Sequence, residues 1–134
     1  MNIALIPARG GSKRITKKNI RFFSGQPIIA WSINAAKKSN CFERIIVSTD
    51  DTDIAEIAEK YGAEVPFVRP EKISDDYSTT RDVILHAINF LSSKNINIDY
   101  LCCLYATAPF VRSEDLLKAY ELLLACDEDL HRCM

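Results

Sequence analysis

The chain has neither of the two common glycine signatures for phosphate. G-x-x-x-x-G-K-[ST] is absent, and so is G-x-G-x-x-G, which argues against a P-loop NTPase or an ordinary dinucleotide-binding enzyme. No apolar stretch approaches the ~20 residues needed to span a bilayer. The apolar run near the N-terminus, Ile3-Ala4-Leu5-Ile6, is too short for a secretory signal and lacks a charged lead. Net charge is also nearly missing: 17 Lys and Arg face 18 Asp and Glu, leaving −1. That balance argues against general affinity for nucleic acid or anionic membrane. Cys41, Cys102, Cys103, Cys126 and Cys133 are odd in number and show no C-x-x-C spacing, so neither a disulfide framework nor a zinc site is expected. There is no internal repeat and no low-complexity segment. The expected location is cytosolic.

What is present is one charged stretch. Pro7-Ala8-Arg9-Gly10-Gly11-Ser12-Lys13-Arg14 runs on to Lys17-Lys18-Asn19, with five cations from Arg9 to Lys18. It follows the strand-like run Ile3–Ile6. Adjacent glycines let a backbone bend and approach a ligand. Successive N–H groups in such a turn make an anion-binding concavity, to which Lys and Arg add full charges. The alternative is a solvated basic loop. A triphosphate cradle is favoured, because cations packed this closely need an anion to face. In a chain of near-zero net charge, that anion is a small one.

At 134 residues and 48% hydrophobic content, the chain is one domain, 1–134, or a piece of one. Periodicity reads as β-α-β-α-β-α-β-α. Pro27 opens a helix striped by Ile28, Ile29, Ile33 and Ala36, which ends near Ser39-Asn40. Arg44–Thr49 is a β-branched second strand. Asp50-Asp51 precedes a helix with Ile54, Ile57, Ala58 and Tyr61 on one face, stopped by Gly62. This acidic pair is read as a helix cap in preference to metal ligands. Glu64–Val68 is a third strand, placed at an edge or bulge by Pro66. A polar loop then leads to a helix with Val83, Ile84, Ala87, Ile88 and Leu91 inward and His86 on the solvent side. Tyr100–Tyr105 is a fourth strand, expected to be buried on both faces. Ser113 caps a last helix with Leu116, Leu117, Tyr120, Leu123 and Leu124 inward; residues 126–134 show no trusted pattern.

Strands alternating with helices imply an α/β fold, an open and mostly parallel sheet with helices on its faces. Ligands of such sheets lie beyond the carboxyl ends of the strands. That rule gathers the loops 7–19, 48–51, 69–80 and 105–109 on one rim.

The opening stretch resembles the signature of cytidylyltransferases that activate acidic nine-carbon sugars, the CMP-sialic acid synthetase group. Ile46-Val47-Ser48-Thr49-Asp50-Asp51, Arg69-Pro70 with Ser74-Asp75-Asp76, and Tyr105-Ala106-Thr107-Ala108-Pro109 agree with it in order. Glu64-Val65-Pro66-Phe67 and the 105–109 block are most similar to the pseudaminic acid branch. CMP-N-acetylneuraminate synthetase and a related nucleotidyltransferase with another sugar or base are the alternatives. The resemblance implies a three-layer, Rossmann-like nucleotidyltransferase fold and transfer of CMP from CTP to a nonulosonic acid sugar, with release of pyrophosphate and with Mg²⁺ as cofactor. It implies that Arg9, Gly10, Ser12, Lys13, Lys18 and Asn19 hold the triphosphate, Arg9 and Lys18 being the catalytic cations. Arg69, Ser78 and Thr80 are expected at the cytosine and ribose, and Tyr105 and Thr107 at the sugar. Family members are longer. The paired aspartates for the metal, much of the sugar site and the arm exchanged in the homodimer are expected in a part absent here. A truncated nucleotide-binding remnant with little or no turnover therefore remains a second expectation.

Overall fold

The central strand explains the rest of the architecture. β1 (Asn2–Pro7) is apolar at every position from Ile3 to Ile6, and all four side chains are fully buried. A strand covered on both faces must lie inside a sheet between two layers. A computed structural model describes residues 1–11, 18–74 and 79–133, with side chains through 126. In it β1 pairs in parallel with β4 (Arg44–Ser48) on one side and β5 (Tyr100–Cys103) on the other. Between β1 and β4 in sequence come a small antiparallel hairpin, β2 (Phe22–Phe23) and β3 (Gln26–Pro27), and helix α1 (Ile28–Ser39). Helices α2 (Thr52–Lys60), α3 (Thr80–Ser93) and α4 (Ser113–Cys133) complete the order.

The period of two along β1 divides the core. Ala4 and Ile6 face a cluster with Ile29 and Ile33 of α1, Ile54 and Ala58 of α2, and Leu116 of α4. Ile3 and Leu5 face the opposite cluster, with Ala87 and Leu91 of α3 and Phe67. The result is three layers, as expected for this α/β class. Each fully buried Ile or Leu contributes about 1.5–3 kcal/mol over its exposed state, so the two clusters fix which face each helix covers. Among the described residues, no helix is long and apolar enough to cross a membrane.

Several expectations need correction. The third strand shrinks to one parallel bridge, Ile46 with Glu64. Glu64 still exchanges backbone bonds with β4, receiving from Val47 N and donating to Ile45 O at 2.9 and 2.8 Å. Pro66 has no N–H with which to continue the ladder. The Arg44 guanidinium braces the bridge with two 2.9 Å bonds to the Glu64 carboxylate. β5 is only half-buried along its length, because among the described residues it pairs on one side alone. In α4, Leu117 and Leu123 are exposed, while Leu116 is buried and Tyr120 and Leu124 are half-buried. These last three are spaced by four, which is one helical stripe. The helix also continues into the stretch where no pattern was trusted.

The helix ends follow local chemistry. Of the acidic pair expected as a helix cap, Asp51 alone caps α2, its Oδ1 accepting from Asp53 N and Ile54 N, while Asp50 accepts from Gly10 N. At the other end Gly62 N reaches Glu59 O and Ala63 N reaches Ala58 O, both at 3.0 Å, a Schellman closure. Gly62 takes φ +98° there. Thr79 and Asp82 form a reciprocal capping box at the start of α3. The hairpin leaves an aromatic group at the surface. Phe23 meets Trp31 and Phe110 edge-to-face, and Phe22 and Phe110 are 76% and 82% exposed.

Gly62→Ala places a side chain in a left-handed backbone, and its Cβ would lie 2.7 Å from Lys37 Nζ. The lysine end can move aside; the backbone cannot. We expect a loss of about 1 kcal/mol and a fall of a few degrees in Tm, read by thermal unfolding.

Candidate functional site

Strand order places the site. Reading outward from β1, β4 and then the Glu64 bridge follow on one side, and β5 lies on the other. Chain direction across the sheet therefore reverses at β1, and the crevice beyond β1 and β5 is a topological switch point. A cavity of about 270 Å³ opens there. Its wall includes Pro7 at the end of β1, Arg9 just past it, Lys18 and Asn19 further along the chain, and Arg69. Thr79, Thr80 and Val83 at the start of α3, with Tyr105, Ala106 and Thr107 after β5, close it.

The residues expected from sequence divide into three groups. Arg9, Lys18, Asn19, Arg69, Thr80, Tyr105 and Thr107 come together on this one wall. Gly10 stands beside it and not in it: its N–H donates to Asp50 Oδ1 at 2.9 Å. A Cβ on Gly10 would lie 2.6 Å from Asp51 Oδ2, so glycine is required by that close approach. Ser12, Lys13 and Ser78 lie outside the described residues.

Arg69 is 4% exposed. Burial lowers its pKa first; the charge of Asp50 opposes this and that of Arg9 adds to it. An arginine has a large margin and stays charged. The cost of burying it is offset by hydrogen bonds. Nε donates to Ser48 Oγ at 3.2 Å, Nη2 to Ser48 O at 2.8 Å and Nη1 to Ile73 O at 3.5 Å. Among the described residues, these bonds engage three of a guanidinium's five N–H donors. Asn19 is likewise buried, and its Nδ2 donates to Arg9 O at 2.9 Å. The start of α3 brings the positive end of a helix dipole to the cavity through Thr79 and Thr80. Cations and a helix N-terminus on one rim make a site for an anion with several charges.

Two supports escaped the sequence reading. Ser32, buried in α1, donates from Oγ to Tyr105 O at 2.8 Å and so fixes the exit from β5. Ser48, at the end of β4, holds Arg69 from both its hydroxyl and its carbonyl. Neither contact follows a local pattern.

His86 is not on the solvent side as expected. It is half-buried, its ring lies edge-to-face on Phe67 at 4.8 Å, and Nδ1 is buried without a hydrogen-bond partner among the described residues. Among the described residues, no group of three His, Cys, Asp or Glu side chains is close enough to hold a metal. Cys102 and Cys103 are half-buried with thiol pKa values raised by burial, which makes them poor nucleophiles.

The open parallel sheet with helices on both faces is an α/β fold of the Rossmann-like nucleotidyltransferase type. Comparisons with known proteins narrow this. The chain matches the family model described as Cytidylyltransferase over residues 3–132, and it belongs to that family. It is 50% identical over 120 residues to a pseudaminic acid cytidylyltransferase of Campylobacter jejuni, covering 90% of this chain and 52% of the relative. It is 39% identical over the same length to the CMP-N,N'-diacetyllegionaminic acid synthase of Legionella pneumophila, again 90% of this chain and 52% of the relative. Among solved structures, a CMP:2-keto-3-deoxy-manno-octonic acid synthetase complexed with CTP superposes with a TM-score of 0.75 at 22% identity, over 96% of this chain and 48% of that one. This last likeness shows the fold alone. The chain spans about half the length of these curated relatives.

Burial first, and then the charges of Arg69 and Lys72, hold the His86 pKa below its ordinary value. The unfolded chain binds the proton more readily, so stability rises with pH between the folded value and about 6.5. The His86 contribution is present near pH 7 and lost as the pH falls through that window. His86→Gln should narrow the difference between urea midpoints at pH 7.5 and pH 5.5. An unchanged difference would show that His86 titrates alike in both states.

Proposed function

We propose that this chain forms the CTP-binding part of a cytidylyltransferase that transfers CMP to a nonulosonic acid sugar, pseudaminic acid first among them. The crevice carries the reading: Arg9, Lys18 and Arg69 converge on one cavity at the switch point, in a chain of the cytidylyltransferase family. The choice of sugar rests on 50% identity to a pseudaminic acid cytidylyltransferase.

In the proposed reaction the anomeric hydroxyl oxygen of the sugar attacks the α-phosphorus of CTP. A bond forms between that oxygen and phosphorus, the bond from phosphorus to the bridging oxygen of the β-phosphate breaks, and pyrophosphate leaves. The hydroxyl proton passes to solvent or to a base. Negative charge grows on the phosphoryl and leaving oxygens, and cations already aimed there lower the barrier. Arg9 and Lys18 take this role. Asn19 acts through Arg9, whose carbonyl it holds. Arg69, fixed by Ser48, faces the nucleoside side, with Thr80 beside it on the cavity wall. Tyr105 and Thr107, both exposed on the β5 side, face the sugar.

Mg²⁺ belongs to the family expectation, but the described residues do not fit it. Asp50 accepts from Gly10 N, and Asp51 caps α2. No step is therefore assigned to a metal on this chain. A second reading is nucleotide binding without turnover by these 134 residues alone.

Calorimetric titration with CTP, ATP and GTP tests the proposal. CTP should bind in preference to the purine nucleotides. Arg9→Ala should weaken CTP binding about tenfold or more, as loss of a charge-assisted contact of about 1.5–3 kcal/mol implies. Equal affinity in a folded Arg9→Ala chain would refute the cradle. Pyrophosphate release with added pseudaminic acid separates the two readings.

A further inference from the structure

One peptide unit in the site is held at both of its polar ends. The carbonyl of Arg9 accepts from Asn19 Nδ2 at 2.9 Å, and the N–H of Gly10 donates to Asp50 Oδ1 at 2.9 Å. These two groups belong to the same planar amide. Opposed hydrogen bonds on a rigid plane set its rotation, and with it ψ of Arg9 and φ of Gly10. The Arg9 side chain leaves from the atom at the end of that plane. Its direction into the cavity is thus set by two side chains that come from opposite sides.

The Asp50 side of this arrangement has little slack. Asp51, the next residue, is anchored as the cap of α2 and lies against the Gly10 Cα. Ser48, two residues earlier, accepts at its carbonyl from Ala8 N at 2.9 Å. The 48–51 turn is therefore tied to the chain on both sides of Arg9. Asp50 also faces the pocket's charges. Its field acts on Arg69 against that of Arg9, although Asp50 itself is no part of the cavity wall.

We propose that Asp50 is a positioning residue for Arg9: with Asn19 it clamps the Arg9–Gly10 peptide and so aims the guanidinium at the phosphoryl chain. The carboxylate acts by accepting one hydrogen bond, and it touches no ligand. This rests on the reading that the cavity binds CTP. It departs from the two roles considered for the acidic pair in the sequence, metal ligand and helix cap: Asp51 is the cap, and Asp50 does something else.

The test uses the whole 134-residue chain, with two readouts: hydrogen exchange at the Gly10 amide and the Kd for CTP. Asp50→Ala should speed Gly10 exchange about tenfold and weaken CTP about tenfold, the scale of one charge-assisted hydrogen bond. Asp50→Asn keeps an acceptor oxygen at the same place and should restore both values to within about threefold. Asn19→Ala cuts the other end of the peptide and should give the same CTP loss; the double variant should lose less than the product of the two. This second cut also covers an Asp50→Ala chain that fails to fold. Unaltered Gly10 exchange in Asp50→Ala, an Asn variant as impaired as the Ala variant, or full multiplicativity would each overturn the clamp. Failure of the wild-type chain to bind CTP would instead overturn the functional reading, and Gly10 exchange would still decide the clamp.

Discussion

The Ser48 carbonyl is the point on which the crevice turns. It accepts from Ala8 N at 2.9 Å and from Arg69 Nη2 at 2.8 Å. The first bond continues the register of β1 on β4 just past the strand ends. The second fastens a buried cation to the same atom. A guanidinium at 4% exposure would be costly without partners. Here the partners are the backbone that the sheet has already fixed, so Arg69 inherits the rigidity of β4 and its place relative to Arg9 follows from strand pairing. The Ser48 hydroxyl, also buried, adds a second bond to the same guanidinium.

The same economy recurs around the rim. Side chains that face the cavity are supported from behind by small polar groups joined to main chain: Asn19 to Arg9 O, Ser32 to Tyr105 O, Asp50 to Gly10 N. The core supplies the frame, since β1 is covered on both faces and cannot tilt. The polar contacts then set angles. This division suits transfer chemistry, where stabilisation comes from charges placed before the reaction begins.

Much of this was legible in the sequence, for reasons that can be named. The apolar run Ile3–Ile6 reported a two-faced strand. Asp51, Gly62 and the four-residue stripe from Ile54 to Tyr61 reported a helix with both ends marked. The glycine-bearing cationic stretch reported where an anion would go, and the rule about carboxyl ends placed Arg69, Thr80, Tyr105 and Thr107 beside it. What failed depended on tertiary neighbours. Glu64–Val68 has strand composition, yet Pro66 leaves a single bridge. Leu117 and Leu123 look inward on hydrophobicity alone, but the helix meets the core only along Leu116, Tyr120 and Leu124. His86 looked solvent-facing because Phe67, which covers it, comes from nineteen residues earlier. Ser32, Ser48 and Asp50 act on main-chain atoms distant in sequence, and no periodicity announces such partners.

The aromatic group at the hairpin has a practical bearing. Phe22 and Phe110 stand largely in water, Phe110 packed edge-to-face on Phe23, and the formal charge of the chain is only −1. Long-range repulsion between molecules is correspondingly weak, and sticky aromatic faces meet with little to hold them apart. Colloidal behaviour should therefore be poorest near the isoelectric point of about 6.1, and should improve in alkaline buffer as the protein gains negative charge.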